Sequence, residues 1–334
     1  MYNRYERWWN RVEIQLVTKL VGRKKTLWTD LLQQCGLEPD IQADSTVLIW
    51  DGEQLIATGS RLGNLLKCIA VDDSCQGMGL TATLLTQLRQ DAFAAGHKHL
   101  FLYTKPRNLL QFSSLFFYPV AQTADVLLME NEPNGIGKFL DSLPVPHRGG
   151  KIGGLVMNCN PFTLGHRYLI ETAANECDWV YVFVLSEEQP TFPAADRLML
   201  VKEGIRDLSN VTVLPTGPYL LSAATFPTYF LPDREAAPQI QCLLDIAVFE
   251  KYYIPKFGIT VRYVGSEPLS PMTAQYNDAL RTHLSIPLRE IPRKEAAAGP
   301  ISANRVRALL AEKQFEALRD LVPQTTLEYL LKEF

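Results

Sequence analysis

GLVMNCNPFTLGHRYLIETA, residues Gly154 to Ala173, decides how this chain is read. An apolar run ends at Met157, a polar loop follows, and helical spacing opens near Gly165. The pattern predicts a strand over Ile152–Met157 and a helix over Gly165–Cys177. A strand–loop–helix junction sets loop amides beside the positive end of a helix dipole, an arrangement suited to a phosphate chain. Gly165 permits close backbone approach, and Pro161 stiffens the loop. His166 falls in the first helical turn with a donor for a phosphate oxygen. Taken alone, His166 fits a plain capping histidine equally well.

Downstream, the alternation continues. Trp179–Leu185 is apolar throughout and far too short to cross a membrane, so it reads as a buried parallel strand. A helix over Ala195–Leu208, a strand over Val211–Leu214 and a long helix near Gln239–Tyr253 follow. Next come a strand over Thr260–Val264, a helix near Thr273–His283, a strand over Leu288–Ile291 and helical segments from Ser302 onward. Alternating strands and helices imply a parallel sheet with right-handed crossovers and ligands at the strands' carboxyl ends. The stretch ISANRVR, Ile301 to Arg307, carries an N-cap serine in Ser302 and, five residues on, a guanidinium fork suited to phosphate in Arg307. Alone it is an ordinary capped helix. Lys202, Lys294 and Arg305 are further cations to weigh.

Upstream, Asp141–Gly150 (DSLPVPHRGG) is the best linker. Before it, strands are expected over Thr46–Trp50 and Gln54–Ser60 around the turn Asp51-Gly52, and over Leu65–Val71, Leu100–Thr104 and Val126–Glu130. Helices are expected over Leu80–Ala94 and Leu109–Phe117. That is a mostly antiparallel α+β layout. Its polar loop, in VDDSCQGMGLTATLLTQL (Val71 to Leu88), offers Gln76, Gly77 and Gly79 ahead of a helix.

The bulk numbers set limits. A length of 334 residues suits two domains, and 47% apolar content lets each bury a core. A net charge of −3 leaves no basic field to draw the chain onto nucleic acid or a membrane surface. Six scattered cysteines form no CxxC pair or His/Cys metal cluster and read as reduced thiols. The N-terminal MYNRYERWWN is polar and aromatic, unlike a signal peptide. A cytoplasmic location is expected.

Two motifs carry resemblances. Thr163-Leu164-Gly165-His166 together with Ile301, Ser302 and Arg307 resembles the [H/T]xGH and ISxxxxR signatures of the nucleotidylyltransferase superfamily. The resemblance implies that ATP is bound with Mg²⁺ by Asn158, Cys159, Asn160, Thr163, Gly165, His166, Ile301, Ser302 and Arg307. It implies that the strand-end loop YVGSEP, with Gly265, Ser266 and Glu267, contacts the adenosine side. His166, Ser302 and Arg307 would be the catalytic set, stabilising developing charge, with no metal held by protein residues alone. Gln76, Gly77 and Gly79 resemble the GNAT acetyltransferase loop, which implies a site for the phosphates of a CoA-like arm. No general base for amine acetylation stands out.

The two halves in this order resemble the citrate lyase ligase family over nearly the whole chain. The fold expected is α/β: an N-terminal GNAT-like α+β domain (1–145), then a Rossmann-like parallel-sheet nucleotidylyltransferase domain (151–334). The activity implied joins acetate to the thiol of the CoA-derived prosthetic group on the citrate lyase acyl carrier subunit, with ATP becoming AMP and pyrophosphate. Residue reading leaves open an adenylyltransferase acting on a phosphate-bearing acceptor, a non-catalytic carrier-binding accessory protein, and an acetyltransferase working without ATP.

Overall fold

A computed structural model describes residues 12–221, 226–231, 235–266, 271–296 and 299–334. They fall into two compact units, one ending at Gly135 but taking back the segment that starts at Pro227 and ends at Ala237. The remainder forms the second unit. This differs from the boundary expected at residue 145. The helix Gly135–Ser142 packs its chain into the second unit from Ile136 onward, and the returning segment was hidden in a loop-like stretch of sequence.

In the first unit, strands β1 (Val12–Val17), β2 (Ser45–Asp51), β3 (Gln54–Leu62), β4 (Leu65–Val71), β5 (Phe101–Thr104), β6 (Tyr118–Gln122) and β7 (Leu127–Glu130) form one sheet. Its order is β1-β2-β3-β4-β5-β7-β6. Every neighbouring pair is antiparallel except β4 and β5, which pair only through Leu65↔Phe101 and Leu66↔Leu102. Beyond those two pairs the strands part. Helix α1 (Gly22–Gln34) buries Trp28, Leu31 and Leu32. Helix α2 (Leu80–Ala94) follows β4 and buries Leu80, Leu84, Leu85 and Leu88, the spacing that puts one apolar stripe on a sheet. The short α3 (Leu109–Ser113) follows β5. This is the GNAT-like α+β layout.

The second unit opens with α4 (Gly135–Ser142). Its strands β8 (Ile152–Met157), β9 (Trp179–Val184), β10 (Val211–Pro215), β11 (Val261–Gly265) and β12 (Leu288–Ile291) run parallel in the order β10-β9-β8-β11-β12. Helices α5 (Leu164–Glu176) and α6 (Ala194–Gly204) pack over one face, where Leu155, Ile170, Ala173, Val182, Leu200 and Val201 form a buried cluster. The other face carries aromatics: Phe183 meets Tyr253 edge to face at 5.1 Å and Phe257 at 5.0 Å. These come from the long helical stretch α7 (Ala237–Val248), a π-helical turn at Phe249–Tyr253 and α8 (Ile254–Phe257). Helix α9 (Pro271–His283) lies between β11 and β12, and α10 (Ala303–Ala311) and α11 (Gln324–Glu333) close the chain. In this Rossmann-like sheet the order reverses between β8 and β11. A crevice at the carboxyl ends of those two strands is where such sheets bind ligands. Among the described residues no helix is long and apolar enough to cross a membrane.

Candidate active site

The loop after β8 enters the crevice, and its shape is held by side chains. Cys159 takes a left-handed φ of 52° and is wholly buried, so its thiol belongs to the core and burial drives its pKa far up. Thr163 caps α5: its Oγ1 accepts the His166 amide N–H at 3.3 Å. In return, the Thr163 amide donates to His166 Nδ1 at 3.1 Å. This is a capping box with imidazole in the place usually taken by Glu or Gln. A backbone N–H can only donate, so Nδ1 is the acceptor and the ring proton of neutral His166 sits on Nε2. Phe162, fully buried, stacks on the imidazole at 6.0 Å. Gly204 lies behind Phe162, where a Cβ would come within 2.5 Å of its ring.

Burial, reinforced by the charge of Arg293, pushes His166 down to about 4. Sequence reasoning counts His166 with the charge-assisted donors. The structure instead gives a neutral imidazole near pH 7, because its surroundings disfavour a second positive charge.

The second motif meets the first. Ser302 Oγ accepts the Arg305 amide at 3.1 Å and caps α10. Arg307 donates from Nη1 to the Asn160 carbonyl and from Nη2 to Asn304 Oδ1. A Cβ on Gly165 would lie 3.6 Å from the Ile301 carbonyl. Two capped helix starts and an arginine therefore share one crevice, although Asn160 and Arg307 are 147 residues apart.

The loop after β11 joins them. Asn277 Nδ2 donates to the Gly265 carbonyl at 3.0 Å, and Ser266 Oγ accepts the Arg293 amide at 3.2 Å. Arg293 Nε donates to the Ile301 carbonyl at 3.2 Å. Glu267 lies outside the described residues. Lys294 sits 5.6 Å over the Tyr168 ring of α5, at the same end. Lys202 is exposed in the last turn of α6, the end that a βαβ crossover carries away from the strands' carboxyl ends, so it is not part of the crevice.

Sequence reasoning missed two arginines here. Arg293 carries no motif. Arg197 does leave a signal: it occupies the buried stripe of α6 with Leu200, Val201 and Gly204, at the spacing of a core residue. It is wholly buried and donates to Asn158, Glu187 and Phe192.

In the first unit, Gln76, Gly77 and Gly79 line a cavity of about 730 Å³ where β4 and β5 part. Gly77 and Gly79 adopt φ of 79° and 77°, which side chains rarely reach. Gly79 is the N-cap of α2 with no side-chain cap, so the first amides of that helix stay open. Lys105 and Arg107, missed in the sequence, also line it, and burial lowers the Lys105 pKa. Tyr229 and Phe230 of the returning segment close another part of the wall, with Tyr229 Oη donating to the Tyr103 carbonyl at 2.9 Å.

A parallel sheet whose switch-point crevice gathers two capped helix starts, a fixed histidine and an arginine fork defines a Rossmann-like α/β domain with one candidate site at its strands' carboxyl ends. Residues 152–330 match the family described as citrate lyase ligase C-terminal domain. The chain is 39% identical over 310 residues to the [Citrate [pro-3S]-lyase] ligase of Klebsiella pneumoniae, covering 90% of this chain and 91% of that one. It is 40% identical over 307 residues to that of Escherichia coli K12, covering 88% and 87%. For the Haemophilus influenzae protein of the same name the values are 39% over 323 residues, 93% and 96%. The chain belongs to the citrate lyase ligase family.

Proposed function

We propose that the chain is an ATP-dependent ligase that activates acetate as acetyl-adenylate and passes the acetyl group to a carrier thiol, so activating citrate lyase. The observation that carries this reading is the meeting of the His166 turn with the Ser302–Arg307 helix at the sheet's switch point. The fit of a nucleotide can be tested on the residues. Among the described residues Asn160 Oδ1 is buried with no partner, an acceptor open to a donor such as a ribose hydroxyl or an amine. The same crevice gathers donors suited to phosphate: the α5 and α10 starts, His166 Nε2, Arg307 and, beside Ser266 and Ile301, Arg293.

A carboxylate oxygen attacks the α-phosphorus, the bond from that phosphorus to the bridging oxygen breaks, and pyrophosphate leaves. Acetate is already ionised at pH 7, since carboxyls titrate near ~4, so no base is needed. Positioning and neutralisation of developing charge then set the rate. Arg307, His166 Nε2–H and the helix starts supply that charge. Donation from His166 Nε2–H strengthens as negative charge builds on the phosphate oxygen that accepts it. Among the described residues no three His, Cys, Asp or Glu side chains gather into a metal cage. Mg²⁺ would accompany the ATP phosphates and neutralise part of their charge. In the second step the carrier thiolate attacks the acyl carbon and AMP leaves with the electron pair of the broken C–O bond.

The first-unit cavity supports a CoA-like arm, with its phosphates on the Gln76–Thr81 amides beside Lys105 and Arg107. The carrier subunit of citrate lyase, bearing a CoA-derived prosthetic group, is the proposed partner. All six cysteines are free thiols, as suits the cytoplasm. The deciding test is pyrophosphate release from ATP with acetate, set against phosphate-bearing acceptors. Acetate-dependent release supports the ligase. Release driven only by a phosphate-bearing acceptor favours the simple adenylyltransferase, and acetyl-CoA turnover without ATP favours an acetyltransferase.

A further inference from the structure

Buried charge is costly unless every polar atom around it is used. Arg197 is wholly buried in the stripe of α6. Its Nε donates to the Phe192 carbonyl at 3.1 Å, and its Nη2 to the Glu187 carbonyl. Its Nη1 donates at 2.7 Å to both the Asn158 carbonyl and Asn158 Oδ1. One rigid fork thus ties the loop after β8 to the loop after β9. The fork also settles which way the Asn158 amide faces. A guanidinium only donates, so the atom turned to it must be Oδ1. The Asn158 Nδ2 amine is then turned away from Arg197, on a half-buried residue at the switch point, and among the described residues nothing else holds it.

We propose that Arg197 is the positioning residue of this crevice, locking Asn158 so that its side-chain N–H₂ donates to the anion reacting there. The assignment rests on the nucleotide reading above and adds to it a donor and the group that aims it. Lysine cannot replace Arg197, because one ammonium has neither the Nε arm nor the planar fork that reaches three residues in two loops.

The test is a double-mutant cycle on the full chain, read by carboxylate-dependent ATP–pyrophosphate exchange and by melting temperature. Asn158→Ala is expected to lower kcat by ~10–100-fold, the range for loss of one donor to developing charge. Arg197→Lys is expected to lower kcat by ~10-fold with KM for ATP little changed. On the Asn158→Ala background, Arg197→Lys should cost less than ~2-fold more, since coupled residues are not additive. Full additivity would overturn the assignment. Should Arg197→Lys not fold, Asn158→Asp decides: it keeps an oxygen for Arg197 but loses the N–H₂. Activity as low as Asn158→Ala with an unchanged melting temperature supports the proposal, and near-normal activity ends it. If the unsubstituted protein shows no exchange with any carboxylate, the nucleotide reading itself fails. Exchange with an additive cycle removes Arg197's role alone.

Discussion

The loop at residues 76–81 and the loop at residues 158–166 are both strand-to-helix turns, yet they are built by opposite means. The first uses glycine: Gly77 and Gly79 at positive φ, no side-chain cap on α2, and amides left open. The second uses side chains throughout. Thr163 and His166 cap α5, Arg197 fixes Asn158, and Arg307 holds the Asn160 carbonyl. A cradle of backbone amides grips phosphates without depending on particular side chains. A turn whose side chains are each tied to a second group can aim single donors within the narrow limits catalysis needs. On the proposed reading, the first loop holds a ligand and the second reacts with one.

The contrast can be broken from either side. The largest effect is expected from His166→Ala, which removes both the aimed donor and half of the capping box. Carboxylate-dependent pyrophosphate exchange should fall ~10²–10³-fold, the usual loss for one preorganised donor. CoA binding to the first unit, measured by calorimetry, should not change. Next is Arg307→Ala. Loss of a charged hydrogen-bonding group worth roughly 1.5–3 kcal/mol lowers exchange by ~10–100-fold, raising KM for ATP as well as lowering kcat. Gly79→Glu reverses the pattern. It sets a negative side chain in a left-handed turn, at a strain of roughly 1–2 kcal/mol, and should weaken CoA binding at least ~10-fold. Exchange at the other site should stay within ~2-fold of normal, and carrier acetylation should fall.

The smallest effect is in stability against pH. His166 has a folded pKa below its unfolded value, so its contribution is present above ~6.5 and is lost as pH falls toward about 4. Asp245 on α7 goes the other way. Burial pushes it up to about 7, against the opposing pull of Arg262, and Tyr276 Oη donates to its Oδ2 at 3.2 Å. The folded state then holds that proton while the unfolded chain has released it. Stability therefore declines as pH rises from ~4 to 7. Between pH 4 and 6.5 the two slopes oppose. Melting curves of Asp245→Asn should rise with pH there relative to the unsubstituted protein, and those of His166→Ala should fall.

Periodicity and local chemistry made much of this legible. Ile152–Met157, Leu65–Val71 and Leu80–Ala94 form as read, because each is a largely apolar or amphipathic run bounded by turn residues, and the short Leu288–Ile291 forms as read with apolar residues only at its ends. The Ser302 cap and the Thr163–His166 turn were legible from local chemistry, a capping side chain placed just before a helix. The helix read over Leu109–Phe117 stops at Ser113, and β6 begins at Tyr118, because Phe116 takes a left-handed φ of 62° that ends helical geometry. Strand β1 and helix α1 were not read at all. The alternation Val12-Glu13-Ile14-Gln15-Leu16 was a strand signal left unused, and burial does not follow it, since Ile14 and Leu16 are exposed. Arg293 and the return of Tyr229 to the first unit were invisible, since each is defined by contacts far away in sequence. Arg197 shows the general case: a cation in an apolar stripe reads as noise until the structure supplies its three carbonyl partners.

The most direct measurement is ATP–pyrophosphate exchange with acetate by the intact protein and by its His166→Ala variant. The account predicts exchange that requires acetate, is unaffected by Gly79→Glu and is nearly abolished in the histidine variant. Exchange that is absent with every carboxylate, or equal in the intact and His166→Ala proteins, would contradict it.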